Sequence, residues 1–242
     1  MKTVIAILAA MTMSLCTAGN GQNVLATSAT DPFIGAVETM KQSVASLDCI
    51  AANGAESKIL ERVGTAFFIS RAGDFLTAAH VILDMQKRER SCPVSAITVP
   101  VDHWRPEGRD EPLVWFPFNT SGCRIDSDSD LAGCRLNGDL LVRSGRSVKF
   151  APVKFEWSIP PDGTHVAMTG FPLRARDPVT VRAAVAAYRT VWQKEKPMSE
   201  LVVDRTTWPG YSGSPVYLSD GRVVGILIAR GTDKASRRWA RW

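Results

Sequence analysis

The chain has 242 residues, 45% hydrophobic and 22% charged, with 18 glycines and 14 prolines. This is an ordinary globular composition and excludes collagen-like, coiled-coil and wholly disordered readings. Lys and Arg number 29 against 24 Asp and Glu, a net charge of +5; the excess is dispersed until the C-terminal tail, and no basic stripe carries a nucleic-acid motif, so no nucleic-acid partner is expected.

In chain order, Lys2 is followed by an uncharged, mostly apolar run to Cys16 and then by Thr17, Ala18 and Gly19. A basic start, an apolar middle and small residues predict a secretory signal peptide over residues 1–18, with cleavage as late as residue 29. The run is too short for a membrane span of about 20 residues, and Leu15 disfavours a lipoprotein site at Cys16. No other stretch is apolar enough to cross, so a secreted or periplasmic protein without a transmembrane segment is expected.

Residues 31–44 place Phe33, Ile34, Val37 and Met40 at helical spacing, and residues 78–85 have room for one short turn. The rest alternates short apolar runs with turn residues. Such runs occupy residues 63–70, 75–79, 96–101, 131–142, 148–155, 165–169, 179–191, 201–203, 214–218 and 223–229. Many are about five residues long and rich in Val, Ile, Phe and Thr, which predicts an all-β barrel or sandwich rather than βαβ units. Ser219-Asp220-Gly221 should close a hairpin. The tail, residues 232–242, carries Lys234, Arg237, Arg238 and Arg241 with Trp239 and Trp242. It reads equally as a short basic helix or a solvated terminus, with weak contact to anionic surfaces.

Export gives the cysteines meaning. Cys16 leaves with the signal, and Cys49, Cys92, Cys123 and Cys134 remain. An even number in an oxidising compartment predicts two disulfides, with three connectivities open. Cys123–Cys134, close in sequence across a hairpin, is favoured, which leaves Cys49–Cys92. Zinc is the rival, but there is no C-x-x-C, and His103 and His165 have no partner at ligand spacing. No metal and no cofactor are expected.

Three separated segments make one chemical argument. In Pro209-Gly210-Tyr211-Ser212-Gly213-Ser214-Pro215 a serine sits in a tight glycine turn. A serine hydroxyl is a weak nucleophile; it needs a base and backbone N–H groups aimed at the developing oxyanion. Gly210 can turn its N–H into a site because it lacks a side chain; read alone, the tetrapeptide is equally an ordinary surface loop. In Leu76-Thr77-Ala78-Ala79-His80-Val81, a histidine follows an apolar strand; a lone histidine there is more often a satisfied core residue. In Asp126-Ser127-Asp128-Ser129-Asp130-Leu131, Asp130 opens an apolar strand and could accept the Nδ1–H of His80. Asp126 and Asp128 suggest calcium, but the run lacks the glycine and distal Glu of an EF-hand loop.

Together these motifs resemble the chymotrypsin-like serine proteases, in the chain order His, Asp, Ser of that class. Gly64-Thr65-Ala66-Phe67-Phe68-Ile69-Ser70, Gly73 and Leu76 to His80 are similar to the strand–turn–strand that delivers the family's base. Gly170-Phe171-Pro172 and Val223-Val224-Gly225-Ile226 are similar to stretches of bacterial members. The resemblance covers roughly residues 44–231 and is nearest to the HtrA-type and glutamyl-endopeptidase-type branch. It implies two six-stranded antiparallel β-barrels with the site between them: residues 31–143 with His80 and Asp130, and residues 144–231 with Ser212. Ser212 would attack a peptide carbonyl, His80 would move the proton, Asp130 would orient His80, and the N–H groups of Gly210 and Ser212 would form the oxyanion hole.

The chain departs from the family in informative places. Tyr211 stands where animal-type trypsins carry an Asp, so activation by an N-terminal ion pair is not expected. The chain ends soon after the second barrel, and no PDZ domain is expected. Thr206, Ile228, Ala229 and Arg230 should wall the specificity pocket. No acid sits at Thr206, so Arg/Lys preference is disfavoured, and a small or apolar residue before the cleaved bond is favoured. The expected function is a secreted or periplasmic serine endopeptidase acting on peptide or protein substrates. The alternative is a catalytically silent protease-fold binding protein of the cell envelope.

Overall fold

Short β-branched and aromatic runs become strands here because their neighbours bury them on curled sheets. The computed structural model describes residues 31–53, 56–87, 92, 94–100, 113–137, 150–193, 196–228 and 239–241. The elements are helix α1 (Ile34–Ser43), strands β1 (Val44–Asn53), β2 (Glu56–Phe68) and β3 (Asp74–Ala78), helix α2 (Ala79–Lys87), then β4 (Val94–Pro100), β5 (Leu113–Pro117), β6 (Arg124–Asp126), β7 (Leu131–Arg135), β8 (Lys154–Phe155), β9 (His165–Gly170), β10 (Val179–Gln193), β11 (Lys196–Val203), β12 (Pro215–Tyr217), β13 (Arg222–Ile228) and β14 (Trp239–Arg241).

The first sheet runs β5-β4-β1-β2-β3-β7-β6. It holds seven strands rather than the expected six, because β6 extends it along β7. In the second sheet the pairings β12-β9-β10-β11-β14-β13 return to β12 and close a ring of six, with β8 added in parallel along β13. Closure removes exposed sheet edges. This is the double β-barrel architecture of chymotrypsin-like proteases. The expected hairpin is present: the Leu218 N–H donates to the Arg222 carbonyl at 3.0 Å. The tail corrects its reading. Residues Trp239–Arg241 form neither a helix nor a solvated end but a strand between β11 and β13, whose backbone groups complete the ring.

Three apolar clusters fill the interior. One, around Phe68, Phe75, Ile82 and Phe116, lies within the first barrel; a second, around Met168, Leu201, Val216 and Val224, lies within the second. The third joins them: Phe33, just before α1, and Met40 of α1 pack with Phe67 of the first barrel and Phe171, Tyr217 and Ile226 of the second. The predicted helix therefore lays Phe33, Val37 and Met40 of its expected stripe across the seam, joined by Ala36, whereas Ile34 is exposed. Cys49–Cys92 and Cys123–Cys134 are disulfides, with Cα atoms 4.9 and 4.4 Å apart. Among the described residues, no helix is long and apolar enough to cross a membrane. The signal peptide and the expected barrel boundary at 143/144 lie outside the described residues, as does most of the tail.

Candidate functional site

Strand β3 ends at Ala78 and α2 begins at once, so His80 sits in the first turn of a helix anchored by a buried strand. Asp130 holds the start of this helix at three points, two of them on His80. The Asp130 carbonyl accepts the Ala79 N–H at 2.9 Å, Oδ1 accepts the His80 N–H at 2.9 Å, and Oδ2 lies 2.9 Å from His80 Nδ1. An ionised carboxylate only accepts, so Nδ1 carries the proton and Nε2 is left as the basic nitrogen. Asp130 has φ +54°, the left-handed region that a non-glycine residue enters at a cost of about 1–3 kcal/mol. The β3–β7 pairing Ala78↔Leu131 and these three bonds hold it there. Its side chain is 15% exposed and that of His80 34%, so the pair is sheltered yet open to solvent. Beside it, the Ser129 hydroxyl and the N–H groups of Ser129 and Asp128, both donating to Oδ1, hold the Asp126 carboxyl below the usual range.

The serine turn comes from the other barrel. Gly210 and Gly213 have φ +98° and +88°. A Cβ on Gly213 would lie 2.0 Å from the Thr65 carbonyl oxygen, 2.3 Å from Thr77 Oγ1 and 3.1 Å from the Ala78 nitrogen. The turn is thus pressed onto the strand end that carries His80. The Ser212 carbonyl accepts the Thr65 N–H at 2.8 Å, and Ser212 is 8% exposed. The amides of Tyr211, Gly213 and Ser214 donate to the carbonyls of Trp208, Leu227 and Tyr211, whereas those of Gly210 and Ser212 donate to no carbonyl among the described residues. Two amides one residue apart are therefore available to an incoming oxygen. Tyr211 is fully buried among the second barrel's core residues, with its hydroxyl donating to the Val179 carbonyl at 3.2 Å. Burial pushes its phenol up to about 12.

The expected specificity residues divide. Thr206 is exposed. Ile228 is fully buried and packs with the first barrel's core. Ala229 and Arg230 lie outside the described residues. The four cysteines of the predicted export product are joined in disulfides, which takes them out of contention as zinc ligands.

The sequence reading missed the residues that support the turn. The Thr65 hydroxyl donates to the Gly210 carbonyl at 2.7 Å and accepts the Phe171 N–H at 3.0 Å. The Leu173 N–H donates to the Pro209 carbonyl at 2.8 Å, from a bend in which Leu173 and Arg174 both have positive φ. Arg62, ion-paired with the buried Asp48 at 3.5 Å, also lies over the Phe171 ring at 5.7 Å. Burial raises the Asp48 carboxyl, with the Thr98 and Ser46 hydroxyls and Arg62 opposing that rise. The Thr65 bonds join residues more than 100 positions apart, and no local pattern signals them.

A family model for the trypsin-like peptidase domain matches residues 64–226, a span that contains His80, Asp130 and Ser212. No curated protein sequence matches the chain. Among solved structures, the crystal structure of Deg5 is 17% identical, with a TM-score of 0.62 over 87% of this chain and 88% of that one. The inactive form of the Rv3671c protease is 16% identical, with a TM-score of 0.57 over 86% of each chain. A serine-to-alanine mutant of Rv3671c from M. tuberculosis H37Rv, also inactive, is 15% identical, with a TM-score of 0.55 over 85% of this chain and 83% of that one. At these identities the likeness shows a shared fold.

Proposed function

The chain belongs to the trypsin-like peptidase domain family, and from that premise we propose that it is a secreted or periplasmic serine endopeptidase working through Ser212, His80 and Asp130. The observation that carries the reading is the two-point grip of Asp130 on His80, through the main-chain N–H and through Nδ1. That grip leaves Nε2 free to take a proton.

In this mechanism the Ser212 hydroxyl attacks the carbonyl carbon of a peptide bond while its proton passes to His80 Nε2. Negative charge develops on the carbonyl oxygen, and the N–H groups of Gly210 and Ser212 stabilise it. One such donor is worth about 10²–10³ in rate. As the tetrahedral intermediate collapses, His80 returns the proton to the leaving amine. Water then attacks the acyl carbon and gives a proton to His80; as the bond from the acyl carbon to Ser212 Oγ breaks, His80 returns that proton to Ser212 and the acid leaves. Asp130 stabilises the imidazolium at each stage. Substrate would reach the cleft beside the exposed Thr206; no acidic group at that position favours an Arg or Lys side chain. The two disulfides support an oxidising compartment as the site of action.

Casein hydrolysis by Ser212→Ala, with its melting profile checked against the wild type, tests the assignment. Loss of hydrolysis in a folded variant is the expected result, and unchanged hydrolysis overturns it. The silent binding protein is the second reading, in which Tyr211 or Trp208 would distort the cleft. The burial of the Tyr211 ring in the barrel core weighs against an obstruction by that residue.

A further inference from the structure

We propose that Thr65 is the positioning residue of the oxyanion turn: its hydroxyl and its main-chain N–H hold the peptide planes that directly follow those carrying the Gly210 and Ser212 N–H groups, and so lock the turn in which these amides are aimed. This deepens the peptidase reading and rests on it.

The argument follows the peptide planes one at a time. Across a trans peptide the N–H points opposite to the C=O, and none of the described peptide bonds is cis. A bond to a carbonyl therefore fixes where the next residue's N–H points. The Pro209 carbonyl accepts the Leu173 N–H at 2.8 Å, so the Gly210 N–H faces away from Leu173. The Tyr211 carbonyl accepts the Ser214 N–H at 2.9 Å, which turns the Ser212 N–H the other way. The planes that follow each of these, Gly210–Tyr211 and Ser212–Gly213, are held by Thr65. Its Oγ1–H donates to the Gly210 carbonyl at 2.7 Å, and its N–H donates to the Ser212 carbonyl at 2.8 Å.

Thr65 also ties the turn to its surroundings. Its Oγ1 accepts the Phe171 N–H at 3.0 Å, at the start of the bend that brings Leu173 to Pro209. Its carbonyl accepts the Thr77 hydroxyl at 2.7 Å, three residues before His80. Every polar atom of this fully buried residue is thus bonded to a segment of the candidate site. Gly210 can rotate more freely than any residue with a side chain. Without the hydroxyl, its carbonyl loses a bond and the Gly210–Tyr211 plane can swing; the turn at Gly210 loosens, and the Gly210 N–H is then aimed by the Leu173 bond to Pro209 alone. The effect should fall on the transition state, where the oxyanion exists, and not on encounter with the substrate.

The test uses the full chain and a fluorophosphonate probe. Ser212 Oγ forms a bond to phosphorus, the P–F bond breaks, fluoride leaves, and the serine proton goes to His80. Thr65→Val keeps the shape and removes the hydroxyl; Thr65→Ser keeps the hydroxyl. Thr65→Ala is the companion variant, read in place of valine if the latter does not fold. The expected result is a fall of about 10–100-fold in the saturated labelling rate for Thr65→Val. The probe concentration for half-maximal rate should be unchanged, and Thr65→Ser should restore at least most of the rate. A valine variant that labels at the wild-type rate refutes the role while leaving the peptidase reading intact. A loss equally deep in Thr65→Ser, or one confined to half-saturation, also refutes it. A folded wild-type chain that takes up no probe overturns the peptidase reading and this role with it.

Discussion

The fit between the two barrels at Gly213 can be tested by adding one methyl group. In Gly213→Ala, the new Cβ would meet the Thr65 carbonyl oxygen at 2.0 Å and Thr77 Oγ1 at 2.3 Å, on a backbone at φ +88°. The left-handed conformation costs an alanine about 1–2 kcal/mol. Forcing an atom into a filled contact adds about 1–3 kcal/mol. The expected loss is therefore about 2–5 kcal/mol, a large part of the 5–15 kcal/mol that typically holds a domain together. Gly163 supplies an internal control: its φ is +81°, yet a Cβ there meets nothing within 4 Å. Gly163→Ala bears the conformational cost alone, partly offset by its stiffer unfolded chain, for a net loss of about 1 kcal/mol. Urea unfolding with both disulfides intact reads the difference. At a slope of about 2 kcal/mol per molar, the midpoint should drop by about 1–2.5 M for Gly213→Ala and about 0.5 M for Gly163→Ala. Equal drops in the two variants would refute the tight seating of the serine turn on the His80 strand.

Two further expectations concern charge. Asp130→Asn keeps an oxygen for the His80 N–H but offers an N–H₂ group to Nδ1, which favours the wrong tautomer; turnover should fall by about 10⁴-fold with little change in melting temperature, and a loss under tenfold contradicts the orienting role. The Arg135 guanidinium and the Ser70 hydroxyl hold the Asp74 carboxyl below its ordinary 3.8. The unfolded chain then binds the proton more readily, so this stabilisation is present above pH 3.8 and is lost as pH falls through the lower folded value. Asp74→Asn should lower the melting temperature slightly at pH 7 and make no difference in strong acid; a deficit that persists there contradicts the sign.

How much the sequence disclosed depended on how local each cause was. The α1 helix, the strands around Phe67 and Leu76, and the hairpin at Asp220 follow from nearby residues, and the structure contains them. Both disulfide pairs matched the favoured connectivity, because the short Cys123–Cys134 separation left Cys49 with Cys92. Strand β1 escaped because residues Val44 to Ile50 are all buried, which erases the alternation that marks a half-buried strand. The closing strand at Trp239 escaped because its partners, Val202 and Ile228, are remote in sequence and its own composition is basic. At the candidate site, the motifs named His80, Asp130 and Ser212, and the structure joins the first two by direct hydrogen bonds. Ser212 is brought to the same strand end through the packing of Gly213. Thr65 was visible only as a strand residue, since its role depends on bonds to Phe171 and Gly210 across the seam.

The most direct test of the account is to treat the protein with a fluorophosphonate and map the adduct by mass. The account predicts a single adduct on Ser212 that disappears in His80→Ala. An adduct elsewhere, or labelling of Ser212 that is indifferent to His80, would contradict it.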